Sequence, residues 1–225
     1  MTGYRTPIGL GWQGYDRIEV TGNLAGATHP DLVARDKTGV LWLHQGNGRA
    51  GFATRVRVGS GWNTYDKFAG GSDLTGDGRA DLLAADKSGV LWLYKGTGTA
   101  ASPFGGRIRV GGGWGVYNDL VATGNLVGTA AGDLLARDRT GVLWLYQGNG
   151  SGVFGARARI GGGWGTYRHL SGIGDADNDG RADVFAVDPT GATYLYKTTG
   201  NATGLFKPRT RTGMVFAPSA YNHVA

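Results

Sequence analysis

A stretch of about fifty residues recurs four times along this chain, and a period of that length confines the fold to repeat architectures. Gly11-Trp12, Gly61-Trp62, Gly113-Trp114 and Gly163-Trp164 open the units, and Tyr15, Tyr65, Tyr117 and Tyr167 follow. Next comes Asn23, Asp73, Asn125 or Asp175, and eight residues further on stands an Asp in every unit: Asp31, Asp81, Asp133, Asp183. Two short apolar stretches split by a Thr/Ser-Gly turn lead to Phe52, Phe104, Phe154 or Phe206 and an Arg-x-Arg segment. The units run roughly over 12–61, 62–113, 114–163 and 164–213, with partial units at 1–11 and 214–225, all within one domain, 1–225.

Each unit reads as four strands. In the second unit they are expected near 65–71, 81–86, 90–95 and 106–111. In the third of these, Val90, Trp92 and Tyr94 alternate with Leu91 and Leu93, so both faces are apolar and burial between layers is expected. Asp86-Lys-Ser-Gly89 supplies the turn before it. The 44 glycines follow no three-residue period, which excludes collagen and fits short strands with tight turns. A four-stranded unit cannot bury two apolar faces alone and must stack on its neighbours. The fold class is therefore all-β, a β-propeller of four-stranded blades, with a linear β-solenoid as the second architecture. Three outcomes are open for the ring: closure by one chain, closure by a homodimer, or an arc of a longer chain.

Hard oxygen donors alternate in two of the four loops. Asp175, Asp177, Asp179 and Asp183 occupy positions one, three, five and nine, with Gly180 at the sharp turn and the Arg181 carbonyl at position seven. Asp73, Thr75, Asp77 and Asp81, with the Arg79 carbonyl, repeat the pattern with one carboxylate fewer. Such alternation suits Ca2+, and two structural calcium sites are expected. No Glu follows at position twelve and strands flank the loops, so these are not EF-hands. The loops at Asn23 and Asn125 keep one carboxylate each; there Asn and Asp are expected to hold the turn through backbone amides.

The Asp-x-Asp/Thr-x-Asp-Gly-x-x-Asp loop leading into a Leu-rich strand resembles the FG-GAP or VCBS repeats of integrin α-subunit propellers and bacterial extracellular proteins. Phe104-Gly105 and Phe154-Gly155 match the Phe-Gly element; Phe52-Ala53 and Phe206-Lys207 keep only the aromatic. The resemblance covers nearly the whole chain. It implies a calcium-stabilised propeller, secreted or extracellular, in adhesion, carbohydrate binding or accessory domains of secreted enzymes. Members are typically seven-bladed, and four units depart from that.

The aromatic residues bear on ligands. Trp12, Trp62, Trp114 and Trp164 beside Tyr15, Tyr65, Tyr117 and Tyr167 offer either repeated carbohydrate pockets or wedges between blades. Trp42, Trp92, Trp144 and Tyr194 lie mid-strand and are expected in the core. The Arg pairs 55/57, 107/109, 157/159 and 209/211 fall on the last strand, where charge blocks edge-to-edge pairing; anionic ligands are the other reading. Arg35 and Arg137 recur only in units one and three, as candidates for an axial ligand or for pairing with Asp36 and Asp138.

Several function classes drop out. The chain has no cysteine, which removes disulfides and thiol chemistry. No long apolar run implies membrane insertion, and no signal peptide is visible after Met1, which fits either a cytosolic protein or an excised segment of a secreted one. The charge of +6 is spread around the rim and does not form a nucleic-acid face. No nucleophile or phosphate-loop motif occurs, and Glu19, the single glutamate, has no evident partner. The expectation is a non-catalytic binding module, lectin-like, with a protein-interaction scaffold or a symmetric propeller assembly as alternatives. Because two loops form their turn without a metal motif, chelation is expected to lower the melting temperature without unfolding the chain at room temperature; complete unfolding on adding EDTA, seen by circular dichroism, would refute this.

Overall fold

A computed structural model describes residues 11–26 and 28–216. Four antiparallel sheets of four strands follow one another along the chain, each in sequential order. Blade one holds β1 (Tyr15–Gly22), β2 (Asp31–Asp36), β3 (Leu41–His44) and β4 (Val56–Gly59). Blade two holds β5 (Tyr65–Ser72), β6 (Asp81–Asp86), β7 (Leu91–Tyr94) and β8 (Ile108–Gly111). Blade three holds β9 (Tyr117–Gly124), β10 (Asp133–Asp138), β11 (Leu143–Tyr146) and β12 (Ala158–Gly161). Blade four holds β13 (His169–Gly172), β14 (Val184–Val187), β15 (Ala192–Tyr196) and β16 (Thr210–Val215). The expected strands of the second unit differ from these by at most two residues. The partial units at 1–11 and 214–225 fall mostly outside the described residues.

The first strands face the axis: β1 packs on β5, β5 on β9 and β9 on β13. Among the described residues, no strand pairing joins blade four to blade one. The fourth strands are consequently the outer edges, as the arginine pairs imply. The chain is a four-bladed propeller, and among the described residues no strand hydrogen bonds close its ring.

The core is divided among the seams between blades. Between blades one and two, Leu24, Val33, Leu41 and Leu43 meet Trp62, Tyr65, Phe68 and Leu82. Equivalent residues fill the two later seams around Trp114 and Trp164. The leucine face of the third strand is fully buried in blades one to three, and in blade four Thr193 is buried there while Leu195 is half-buried; Trp42, Trp92, Trp144 and Tyr194 on the other face are only half-buried. The expectation that these four belong to the core holds in part: Trp92, Trp144 and Tyr194 pack against the seam clusters, while an arginine of the outer strand covers the ring face of all four.

Two local devices set the blade. The Asp36, Asp86, Asp138 and Asp188 side chains accept from the turn that follows, for example from the Ser88 amide and hydroxyl and the Val90 amide at Asp86. Gly89 sits at φ +80 in that turn, a conformation that suits glycine. The Trp92 indole donates to the second oxygen of Asp86 at 2.8 Å, tying the turn to its strand. The second device is the buried Asp at loop position nine. Asp133 accepts from the Leu126 and Val127 amides on one oxygen and from the Gly148 amide on the other. Asp31 does the same with Leu24, Ala25 and Gly46. Asn125 Oδ1 is buried with no hydrogen-bond partner, so the turn-holding role expected of the Asn-Asp pair falls to the Asp.

Arg35 and Arg137 are buried and clamp adjacent blades. Arg35 takes both oxygens of Asp16 at 2.8 and 2.9 Å and donates Nη1 to the carbonyls of Trp62 and Tyr65 in blade two. Arg137 binds Asp119 at 3.0 Å and reaches the carbonyls of Trp164 and Tyr167 in blade four. Neither pairs with Asp36 or Asp138. Replacing Arg35 or Arg137 by Ala is expected to cost about 2 kcal/mol each, the scale of lost hydrogen bonds from a charged donor. Lysine, without the planar fork, is not expected to restore it; urea denaturation of each variant provides the check.

Candidate functional site

The loop of blade four gathers the acids that can hold a cation. Ligand oxygens of Asp175, Asp177 and Asp183 lie within 4.8 Å of one another. Asp183 is fixed by the Ala176 and Thr198 amides, and Asp175 by the amides of Asp179 and Gly180. One oxygen of Asp177 is buried without a hydrogen-bond partner, an arrangement that is costly unless a cation or donor meets it. Burial, followed by the charges of Asp177 and Asp179, raises the pKa of Asp183. Asp179 stands apart from the cluster, 3.2 Å from the Lys207 ammonium, which lowers its pKa. The Arg181 guanidinium lies 3.9 Å from the same carboxylate.

The loop of blade two is arranged differently. Asp73 turns both oxygens onto its own loop, accepting from the Gly76 amide at 2.7 Å and the Gly78 amide at 2.8 Å. Asp77 accepts from the Arg79 amide and faces its guanidinium at 3.6 Å. Asp81 accepts from the Leu74 and Gly96 amides. Thr75 stands at the position that Asp177 holds in blade four. Among the described residues, the only metal-competent cluster of three or more acids is the one in blade four.

The eight aromatic candidates occupy the seams. Trp62, Trp114 and Trp164 are 7%, 6% and 8% exposed, and Tyr65, Tyr117 and Tyr167 are buried with them. Each of these Trp rings lies against a tyrosine of its own third strand, with Trp62–Tyr94, Trp114–Tyr146 and Trp164–Tyr196 centroids at 4.7, 4.6 and 4.7 Å. Their backbone amides donate to Gly39, Gly89 and Gly141 of the preceding blade. They pack as wedges between blades. Trp12 and Tyr15 are half-buried, with Trp12 resting on His44 and Phe52.

A cavity of about 800 Å³ lies on the axis, lined by the first strands of all four blades. At one end are Arg17, Asp119 and Arg137; at the other are Val20 and Ile173, both more than two-fifths exposed. Glu19 also lines it and accepts from the Gly70 amide of blade two at 2.8 Å, so it does have a partner. Neither Glu19 nor Asp119 has an acidic counterpart in the other units, so no periodic signal in the sequence marks this site. No helix among the described residues is long and apolar enough to cross a membrane.

Comparison with known proteins agrees with this architecture. Residues 131–186 match the FG-GAP-like repeat family model; they run from just before β10 of blade three, through the acidic loop of blade four, into β14. No curated protein matches the chain. Among solved structures, it is similar to an Agrocybe aegerita lectin described as recognising non-reducing terminal N-acetylglucosamine. That likeness has 22% identity and a TM-score of 0.54, and covers 85% of this chain and 50% of that one. Two structures of BBS1N in complex with ARL6DN, soaked with mercury and with lead, follow at 12% and 11% identity and TM-scores of 0.46 and 0.45. They cover 89% and 87% of this chain, and 55% and 52% of theirs. The chain thus spans about half the length of the solved structures it matches, and at these identities the likeness concerns the fold alone. Repeat period, blade topology and family match converge: the chain carries an FG-GAP-like repeat set in a four-bladed β-propeller.

Proposed function

We propose that this chain is a non-catalytic binding module that receives an exposed segment of a partner protein in its axial cavity. The observation that carries the reading is the cavity itself, which is of ligand-binding size and apolar at one end and charged at the other. A peptide carrying an apolar residue next to a charged one fits that division. A repeated sugar site at the Gly-Trp rings is less favoured, because stacking on a sugar needs an open ring face and six of those eight residues are buried. Carbohydrate binding stays attached to Trp12 and Tyr15, whose rings are half-buried. The loop at Asp175–Asp183 is proposed to hold Ca2+ as a structural ion, with Asp73–Asp81 as a weaker second site. The hard carboxylate donors and the orphaned Asp177 oxygen support the first assignment; the shared spacing supports the second.

Selection from a random peptide library, run beside a glycan array with and without calcium, separates the two ligand classes. Selected peptides are expected to lose at least about tenfold in affinity on Val20→Asp with Ile173→Asp, a scale set by burying unpaired charge against an apolar contact. Glycan binding that depends on Trp12, with no peptide selected, would overturn the protein-partner reading.

Titration of the cavity gives a second check. Burial pushes the Glu19 pKa up to about 8, partly opposed by the Gly70 amide; burial likewise raises Asp119 to about 6, opposed by Arg137. A carboxyl raised on folding binds its proton more tightly in the native state. Its contribution to stability is therefore complete below the ordinary carboxylate range and is lost as pH rises through the folded value. Stability is expected to fall between about pH 5 and pH 9 on this account. Glu19→Gln should flatten that profile and be the more stable form at pH 9, by on the order of 2 kcal/mol. Denaturant midpoints across pH measure it; an unchanged slope in the variant would contradict the assignment.

A further inference from the structure

The outer wall of the propeller repeats one arrangement four times. Arg55, Arg107 and Arg157 lie over the Trp42, Trp92 and Trp144 rings at 4.0, 4.2 and 4.1 Å, and Arg209 lies over Tyr194 at 4.5 Å. In each case Nη1 donates to a phenol oxygen: Tyr15 at 2.6 Å, Tyr65 at 2.9 Å, Tyr117 at 2.7 Å, and Tyr167. All four arginines are exposed. Among the described residues, none of them meets a carboxylate. Edge protection needs only charge on a flexible stem. Here each guanidinium is held by a ring face and a phenol, and the side chain stays exposed.

Arg35 shows what that fork takes when it is filled. Its Nε and Nη2 bind the two oxygens of Asp16 while Nη1 is spent on carbonyls. The outer arginines have Nη1 spent in the same way and no anion in the place of Asp16. We infer that the outer wall binds an acidic polysaccharide, each blade placing one sulfate or carboxylate of the polymer against an oriented guanidinium. Planar bidentate recognition of oxyanions is what arginine does best. A single exposed contact is weak in salt, but four on one rigid ring act together on one chain. Side-chain freedom already surrendered to Trp and Tyr lowers the cost of binding. The carboxylates beside the rings do not compete: Asp36 is saturated by Thr38, Val40 and the Trp42 indole. Nucleic acid fits less well, because single strands use open aromatic faces for base stacking and here the arginine covers the ring. This surface is separate from the axial cavity and does not depend on its ligand.

Heparin is the probe, with binding followed by titration calorimetry at about 0.15 M salt, where screening of exposed charges is already strong. Two quadruple variants remove the same four charges from a formal total of +6. One carries Arg→Gln at positions 55, 107, 157 and 209; the other carries Arg→Gln at 57, 109, 159 and 211. The first is expected to weaken binding at least about tenfold and the second less than about threefold, since only the first removes the oriented contacts. Arg107→Lys, which keeps charge and fold but lacks the fork, should lose about twofold. Desulfated heparin, which keeps its carboxylates but loses most of its charge, should bind more weakly than heparin, and duplex DNA should compete poorly. Equal loss in the two quadruple variants, full affinity in Arg107→Lys, or competition by DNA as strong as by heparin would each overturn the proposal.

Discussion

Asp31, Asp81, Asp133 and Asp183 are buried carboxylates that meet no cationic side chain among the described residues, and the blade is built around what they accept. One oxygen takes the amide fifteen residues on, at Gly46, Gly96, Gly148 or Thr198, joining the loop to the exit of the third strand. The other takes the first amides of the loop. In blades one and three it takes two, from Leu24 and Ala25 and from Leu126 and Val127. In blades two and four it takes one, from Leu74 or Ala176. The acidic loops therefore leave acceptor capacity on the same buried oxygen that the plain loops fill with protein. In blade four the oxygens of Asp175 and Asp177 converge on Asp183, a donor set that suits a hard cation, whereas the plain loops complete the same turn with backbone amides alone.

The same alternation runs through the seams. Arg35 and Arg137 clamp blades one to two and three to four, whereas Ala85 stands at the equivalent place in the second seam, packed among apolar residues. Lys95 and Lys197 follow the third strand in the blades with acidic loops, where Gln45 and Gln147 stand in the others. Lys197 lies 3.2 Å from Asp177, so charge on the loop and charge on the strand change together. The repeating mechanical unit is a pair of blades: a plain-loop blade carrying the arginine, and an acidic-loop blade whose carbonyls receive it.

Periodic features were legible in the sequence because each is enforced four times by the same packing. The strands, the Asp-x-Ser/Thr-Gly turns and the acidic loops all fall close to where spacing places them. The partners of Arg35 and Arg137 were not legible. Asp16 and Asp119 occupy positions one residue apart in the repeat, and the bulges in β1 and β9 that bring each within reach have no composition signal. Glu19 is unreadable for the opposite reason: it has no counterpart to compare. The half-exposed Trp42, Trp92 and Trp144 mislead because an apolar alternation cannot say whether the covering layer is another blade or an arginine of the same blade.

The ends of the arc show how the seam rule constrains closure. Each seam seats an aromatic residue whose amide donates to the turn glycine of the blade before: Trp62 to Gly39, Trp114 to Gly89, Trp164 to Gly141. On blade four that seat is already filled, by Phe216 donating to Gly191 at 2.8 Å and lying edge-on to Phe185. Trp12 would need this seat to close a four-bladed ring in the way the inner seams are closed. The two aromatics compete for the one turn, because the Phe216 backbone lies where even a Cβ on Gly191 would clash. Ring closure through Trp12 in the way of the inner seams therefore requires Phe216 to leave its glycine.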